Sequence, residues 1–353
     1  MKPTPSAMVL NGSYGEGGSA TFRTALAVAA LLQQPVRVHN VRGATRRPGL
    51  TSEDLSFLKA ISESCAAEVM GDEIESHDVT WTPTRAPRPL YTRIDVQEHE
   101  KGQQPGNGLV IVESLLPVLA RTGGISKLLV QGETYNSNTL TYEIFERVTL
   151  AAHRAQGLYV YPRQEVAGFG FAGRGELVVE VEPSEINPLE WPTRGALKSV
   201  HCAITLGELP VSIAERGLEH AAKLCMGKGL ELRGEIVEVP SRSPGAYVSF
   251  WAHFERGLGS AGSLGARGVR VEHVVNQAFG EFAEWLDTDA TVDAYLADQL
   301  LLPAVIAGET SFFKTSRITQ RLVSMAWVIK QFLPIHITIL GQVGEPGTVK
   351  VST

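Results

Sequence analysis

The 353 residues carry 32 Lys and Arg against 38 Asp and Glu, a formal charge of -6, with 43% hydrophobic and 20% charged residues. Such a chain buries a sizeable core in one large or two smaller domains, and its acidic balance excludes a broad positive field drawing the whole molecule onto a DNA duplex or an anionic membrane. Cys65, Cys202 and Cys225 are an odd, widely spaced set without a CxxC pair, which speaks against a disulfide framework or structural zinc and fits a reducing cytoplasm.

Residues 1–8 lack the apolar run of a secretory signal. The first helix is expected over 20–32, after a Gly-rich turn, with a strand over 36–41; its apolar stretch, Ala25 to Leu32, is far short of the roughly 20 residues that span a bilayer. A second helix over 51–66 is announced by Thr51 and Ser52 as caps, with Glu53 and Asp54 in its first turn. The turn, helix and strand then recur over 106–132, with the helix at 109–121 and the strand at 127–131. A helix is expected at 141–156 and strands at 158–161 and 176–182. From 183 to about 285 the pattern changes: strands at 199–206, 231–239 and 247–254, helices at 214–225 and 272–286, and a Gly-rich stretch at 257–268 that reads as an exposed loop. The alternation seen before residue 183 returns with a helix at 295–307 and a strand at 311–314. The fold class is α/β (α+β), with a smaller α/β domain at 184–285 inserted into a large domain formed by 1–183 and 286–353.

Three segments could carry chemistry. GSYGEGGSATFR (12–23) places Glu16 among glycines just ahead of a helix bearing Arg23, a setting in which backbone N–H groups approach a phosphate and a carboxylate holds a cation. A tight turn with a solvent-facing Glu explains the glycines equally. VRGATRRPGL (41–50) gathers Arg42, Arg46 and Arg47 in a turn suited to bidentate phosphate contact, or to a solvated charge cluster. DAYLADQLLLP (293–303) puts Tyr295 and Asp298 on one side of a helix with Gln299 beside them; periodicity alone makes this an ordinary amphipathic helix.

Together with AGFGFAGRGELVVEV, SLGARGV and KTSRITQ, these segments, in this order and at these separations, resemble the RNA 3'-terminal phosphate cyclase family. The resemblance covers nearly the whole chain. It implies repeated βαβαββ-type units in a large domain interrupted by a smaller α/β domain. It also implies ATP and Mg2+ or Mn2+ as cofactors: the family adenylates a histidine, passes AMP to an RNA 3'-phosphate, and lets the 2'-hydroxyl displace it to give a 2',3'-cyclic phosphate. Carried over by position, Glu16 is the metal- or phosphate-site glutamate, Arg23 the early helix arginine, and Arg42, Arg46 and Arg47 the basic turn for RNA or phosphate. Tyr295, Asp298 and Gln299 are the nucleotide-pocket residues. An RNA 3' end is the implied partner.

The departures are concentrated at the adenylation apparatus. Counting seven residues from Lys314 through the shared KTxxxT leads to the family's catalytic histidine, and this chain has Arg321 there. A guanidinium stays protonated and offers no lone pair to the α-phosphate of ATP. Glu113 stands where the middle helix is expected to carry glutamine, Ala20 replaces a glutamine, and 102–108 reads GQQPGNG in place of a GSAGS-like loop. Lys314 is the nearest substitute nucleophile; His336 sits in an apolar strand pattern and reads as structural, and His201, His253 and His273 fall in the inserted domain. The sequence therefore points to a cyclase-like pseudoenzyme of RNA processing that binds RNA 3'-phosphate ends or nucleotide phosphates. An active ATP-dependent cyclase with a relocated nucleophile is the alternative, and a scaffold whose inserted domain binds protein through Trp251 and Phe254 is the third reading.

Overall fold

The computed structural model describes residues 6–96, 106–137, 139–170 and 174–352. Residues 102–105 of the GQQPGNG loop and 171–173 of the AGFGFAGRGELVVEV pair lie outside the described residues.

The first unit runs β1 (Met8–Asn11), α1 (Ser19–Leu32), β2 (Val36–His39), α2 (Ser52–Cys65), β3 (Glu68–Met70) and β4 (Asp78–Thr82). The second runs β5 (Tyr91–Asp95), α3 (Gly108–Leu119), β6 (Ser126–Gly132), a helix made of α4 (Tyr142–Ile144), a π-helical turn (Phe145–Thr149) and α5 (Leu150–Ala155), then β7 (Val160–Val166) and β8 (Gly175–Val181). The third begins with the two-residue β9 (Glu190–Trp191) and resumes at α8 (Ala294–Ile306), β14 (Ser311–Thr315), α9 (Gln320–Phe332), β15 (His336–Leu340) and β16 (Gly347–Ser352). Between β9 and α8 come β10 (Leu197–Gly207), α6 (Val211–Gly227), β11 (Leu232–Glu238), β12 (Gly245–Phe254), β13 (Gly257–Leu264) and α7 (Val271–Leu286).

Each unit is thus a βαβαββ run, and all three sheets share one order: β1-β2-β4-β3, β5-β6-β8-β7 and β9-β14-β16-β15. In each the first two strands are parallel, joined through a helix as a parallel pair requires, and the last two are an antiparallel hairpin. One apolar core runs through the three units, whereas β10–β13 with α6 and α7 enclose their own. α1 is buried on every side from Thr21 to Ala30, as befits a helix at the centre of packed layers. Of the two cap candidates, Thr51 caps α2, and Asp54 closes a capping box with it.

The Gly-rich stretch expected as a loop is instead strand β13, paired antiparallel along β12. Its glycines are there for packing: a Cβ at Gly259 would lie 2.3 Å from the Trp285 ring, and one at Gly262 would lie 2.2 Å from the Tyr247 hydroxyl. Val292 bridges β13 to β14, so the inserted sheet joins the third unit directly ahead of α8. Trp251, expected as a docking residue, is only 3% exposed and stacks on His201; Phe254 is half-buried beneath the Arg194 guanidinium. Neither presents a free aromatic face. His336, expected to be structural, is exposed on β15.

Candidate functional site

The first helices of the three units, α1, α3 and α8, converge with the start of α9 on a cavity of about 400 Å³. Asn107 caps α3 through Leu109 and Val110, and Asp293 caps α8 through Tyr295 and Leu296. Six residues beyond these caps stand Glu113 and Gln299, and ten beyond stand Pro117 and Pro303, so the repeated unit delivers the same helical position to the cavity twice. α1 delivers Arg23 and Thr24 from the corresponding second turn after Gly18.

The cavity gathers Glu16, Arg23, Arg42, Tyr295, Asp298, Gln299 and Arg321, with Ala20 and Glu113 beside them. Arg46 and Arg47 are exposed and do not line it; the Arg47 carbonyl instead accepts from Arg42 Nη1 at 2.7 Å, which shapes the turn. Lys314 also lies outside, held by Asp289 at 2.5 Å. No histidine lines the cavity among the described residues.

The Gly-rich turn is fastened to α9. Ser324 Oγ accepts from the Glu16 amide at 2.8 Å, and Gly15 adopts φ 64° where a Cβ would strike that hydroxyl at 2.3 Å. Only glycine meets both demands. Glu16 thereby faces Arg321, Oε2 to Nε 3.6 Å. Opposite, Asp54 is fully buried and receives the Ser19 and Thr51 hydroxyls at 2.8 Å each. Arg23 stands 3.8 Å from its Oδ1 and Arg42 stands 3.8 Å from its Oδ2. Asp54 is therefore the counter-charge that positions both arginines. In the sequence it shows only as a first-turn acid, and no local signal distinguishes the two roles.

Polar atoms remain unspent. Arg23 Nε and Nη1, Arg42 Nε, Glu16 Oε2 and Gln299 Oε1 are buried without a hydrogen-bond partner. Guanidinium donors that have a counter-charge but no hydrogen bond at a cavity wall fit phosphate oxygens, since leaving them unmet costs free energy. The wall is also acidic, with Glu16, Glu53, Glu113, Glu281, Asp293 and Asp298 against Arg23, Arg42 and Arg321. Burial pushes Glu113 up to about 7, with Arg23 and Arg321 pulling down and Asp298 pushing up. Burial likewise pushes Asp298 to about 7, against Arg321 and the Thr319 hydroxyl that donates to it at 2.6 Å. The Arg321 side chain is 48% exposed, so burial opposes its charge only in part, and Asp298, Glu16 and Glu113 act to raise its value. No group of three or more His, Cys, Asp or Glu suited to a metal occurs among the described residues, and no helix there is long and apolar enough to cross a membrane.

The profile of the RNA 3'-terminal phosphate cyclase family matches residues 14–339. The chain belongs to that family. It is 31% identical over 325 residues to the RNA 3'-terminal phosphate cyclase of Methylococcus capsulatus, covering 92% of this chain and 90% of that one. It is 32% identical over 359 residues to the cyclase of Methanopyrus kandleri, covering 98% and 99%, and 31% identical over 331 residues to that of Nostoc sp., covering 94% and 95%. Among solved structures, the enolpyruvyl transferase NikO from Streptomyces tendae matches with TM-score 0.38 and 11% identity over 98% of this chain and 48% of that one, too distant to bear on function.

Proposed function

We propose that this cyclase-family chain binds RNA 3'-phosphate ends or nucleotide phosphates in the cavity and does not adenylate itself at position 321. The observation that carries the reading is Arg321 itself: a guanidinium at the cavity wall, paired with Glu16, in a pocket whose described lining has no imidazole. It binds phosphate and cannot attack it.

ATP, when bound, supplies an activated adenylyl group, and Arg23, Arg42, Tyr295, Asp298 and Gln299 are the residues that would hold it. Mg2+ or Mn2+ would find Glu16 there. The Arg23 and Arg42 nitrogens that lack a hydrogen bond favour the fit of phosphate. The six lining carboxyls favour a short phosphate end over a naked triphosphate. Within this reading Arg23 and Arg42 fix the phosphate, Arg321 neutralises its outer oxygens, and Tyr295, 48% exposed on the first turn of α8, meets the terminal base. We place the smaller domain between β9 and α8, near the expected 184–285, and the protein in the cytoplasm.

The test compares affinity for one oligonucleotide ending in 3'-phosphate or 3'-hydroxyl, alongside labelling by α-labelled ATP with divalent metal. Tighter binding of the phosphate end and unlabelled protein are expected. Equal affinity for the two ends would remove the reading, and labelled protein would return the chain to an active cyclase with a relocated nucleophile, such as Lys314.

A further inference from the structure

The cavity holds more than a phosphate clamp needs. Glu113 on α3 and Asp298 on α8 are two carboxyls lining one cavity; the charge of Asp298 acts on Glu113, and Arg321 acts on both. Asp298 is oriented: the Thr319 hydroxyl donates to its Oδ1 at 2.6 Å while that same oxygen of Thr319 accepts from the Leu322 amide. Burial raises Asp298 to about 7, and against it Arg321 and the Thr319 hydroxyl favour the ionised form. Glu113 receives no such hydroxyl among the described residues, and that difference in hydrogen bonding is what assigns it the proton in the reaction below.

We propose that Asp298 and Glu113 are a general base and general acid that open a terminal 2',3'-cyclic phosphate with water to a phosphomonoester. The inference rests on the reading that an RNA 3' end enters this cavity. Asp298 takes a proton from water as its oxygen bonds to phosphorus. The bond from phosphorus to one ribose oxygen breaks, and Glu113 gives its proton to that departing oxygen. One water is consumed, no co-reactant is needed, and a proton returns from Asp298 to Glu113 through solvent. Arg23 and Arg321 face the phosphoryl oxygens on which charge accumulates. Making a cyclic phosphate requires expelling an oxygen from a monoester, hence prior activation. Opening the strained ring requires only an acid, a base and charge neutralisation, and these are the groups this cavity holds. The chain would thus consume what a cyclisation reaction produces.

Groups that bear on the titration are Arg23 of α1, Arg321 and Thr319 at the start of α9, and Glu16 of the Gly-rich turn; Asp293 faces Asp298 from its own helix cap. Both carboxyls change charge near neutral pH and the step needs one ionised and one protonated, so the rate should trace a bell in pH.

The experiment gives the full chain an oligonucleotide ending in 2',3'-cyclic phosphate and follows the appearance of phosphatase-sensitive ends. The wild type should open it near neutral pH. Glu113→Gln and Asp298→Asn should each lose about 100-fold or more in rate, the usual size of a general acid or base contribution, with the corresponding limb of the pH profile flattened. Binding of 3'-phosphate RNA is measured on the same preparations. No opening by wild type that still prefers the 3'-phosphate overturns this inference alone; no such preference overturns the end-binding reading as well. Opening that survives both substitutions also overturns it.

Discussion

Replacing Glu113 by Gln should change how stability depends on pH rather than shift it uniformly. A carboxyl that titrates at about 7 folded, against 4.5 when unperturbed, holds more protons in the folded than in the unfolded chain between those values. Stability therefore falls as pH rises through that window and levels off above it. At about 1.4 kcal/mol per pH unit, ionising Glu113 costs the folded state about 3 kcal/mol at pH 8, an upper value because the carboxyl opens on the cavity. Glutamine has nearly the same shape and no charge to bury. Glu113→Gln should match the wild type near pH 4.5 and exceed it at pH 8 by up to that amount, equivalent to about 4 °C in melting temperature for a chain of this length. Thermal unfolding of both proteins from pH 4.5 to 8 decides it. Melting curves that stay parallel across the range would show that Glu113 carries no burial cost and that the electrostatic account of the cavity is wrong.

Arg23→Met should destabilise by about 3 kcal/mol in urea unfolding, because Asp54 and Glu53 lose their cation while Asp54 stays buried; it should also abolish preference for a 3'-phosphate, and a variant that keeps both stability and preference contradicts the assigned clamp. Ser324→Ala leaves the Glu16 amide without its acceptor at a cost of about 1–2 kcal/mol, and faster hydrogen exchange at Glu16 is the readout; unchanged exchange there would show that the turn does not depend on α9. Gly259→Ala should lower stability by about 1–3 kcal/mol through overpacking against Trp285, with a change in its fluorescence; a neutral outcome would mean that β13 can yield at that point.

The helices are the most legible part of the sequence because their information is local. Thr51 and the amphipathic periodicity of 293–303 announce themselves within a few residues, and α1, α2, α3 and α8 fall within one residue or two of expectation. Strand β13 is not legible, since Gly259, Gly262 and Gly265 look like a loop until Trp285 and Tyr247, from distant segments, are placed over two of them. The 141–156 helix hides a π-helical turn at Phe145–Thr149, directly after Glu143, whose buried carboxyl receives Tyr135 and the Thr205 hydroxyl of the inserted sheet. In the site, the motif arginines split. Arg42 is drawn inward by Asp54, whereas Arg46 and Arg47, identical in type and close by in sequence, remain outside. Composition of a turn cannot report which guanidinium finds a buried counter-charge.

Three copies of one unit explain why a single cavity can change its chemistry with few substitutions. Each first helix projects its second turn into the same space, so Arg23, Glu113 and Asp298 with Gln299 meet although about 90 residues or more separate each from the next. A residue exchanged at any of these positions alters the field felt by the others, and α9 adds Arg321 to the same enclosure. Partial burial opposes that guanidinium; Asp298 and Glu16 are the leading opposite charges, and Glu113 joins them only when it gives up its proton. Glutamine at 113, the residue expected from family resemblance, has no proton to give up and so never adds that third charge. The arginine at 321 and the glutamate at 113 are on this account one electrostatic arrangement, in which a fixed cation and a proton-bearing carboxyl share the space of the expected nucleophile.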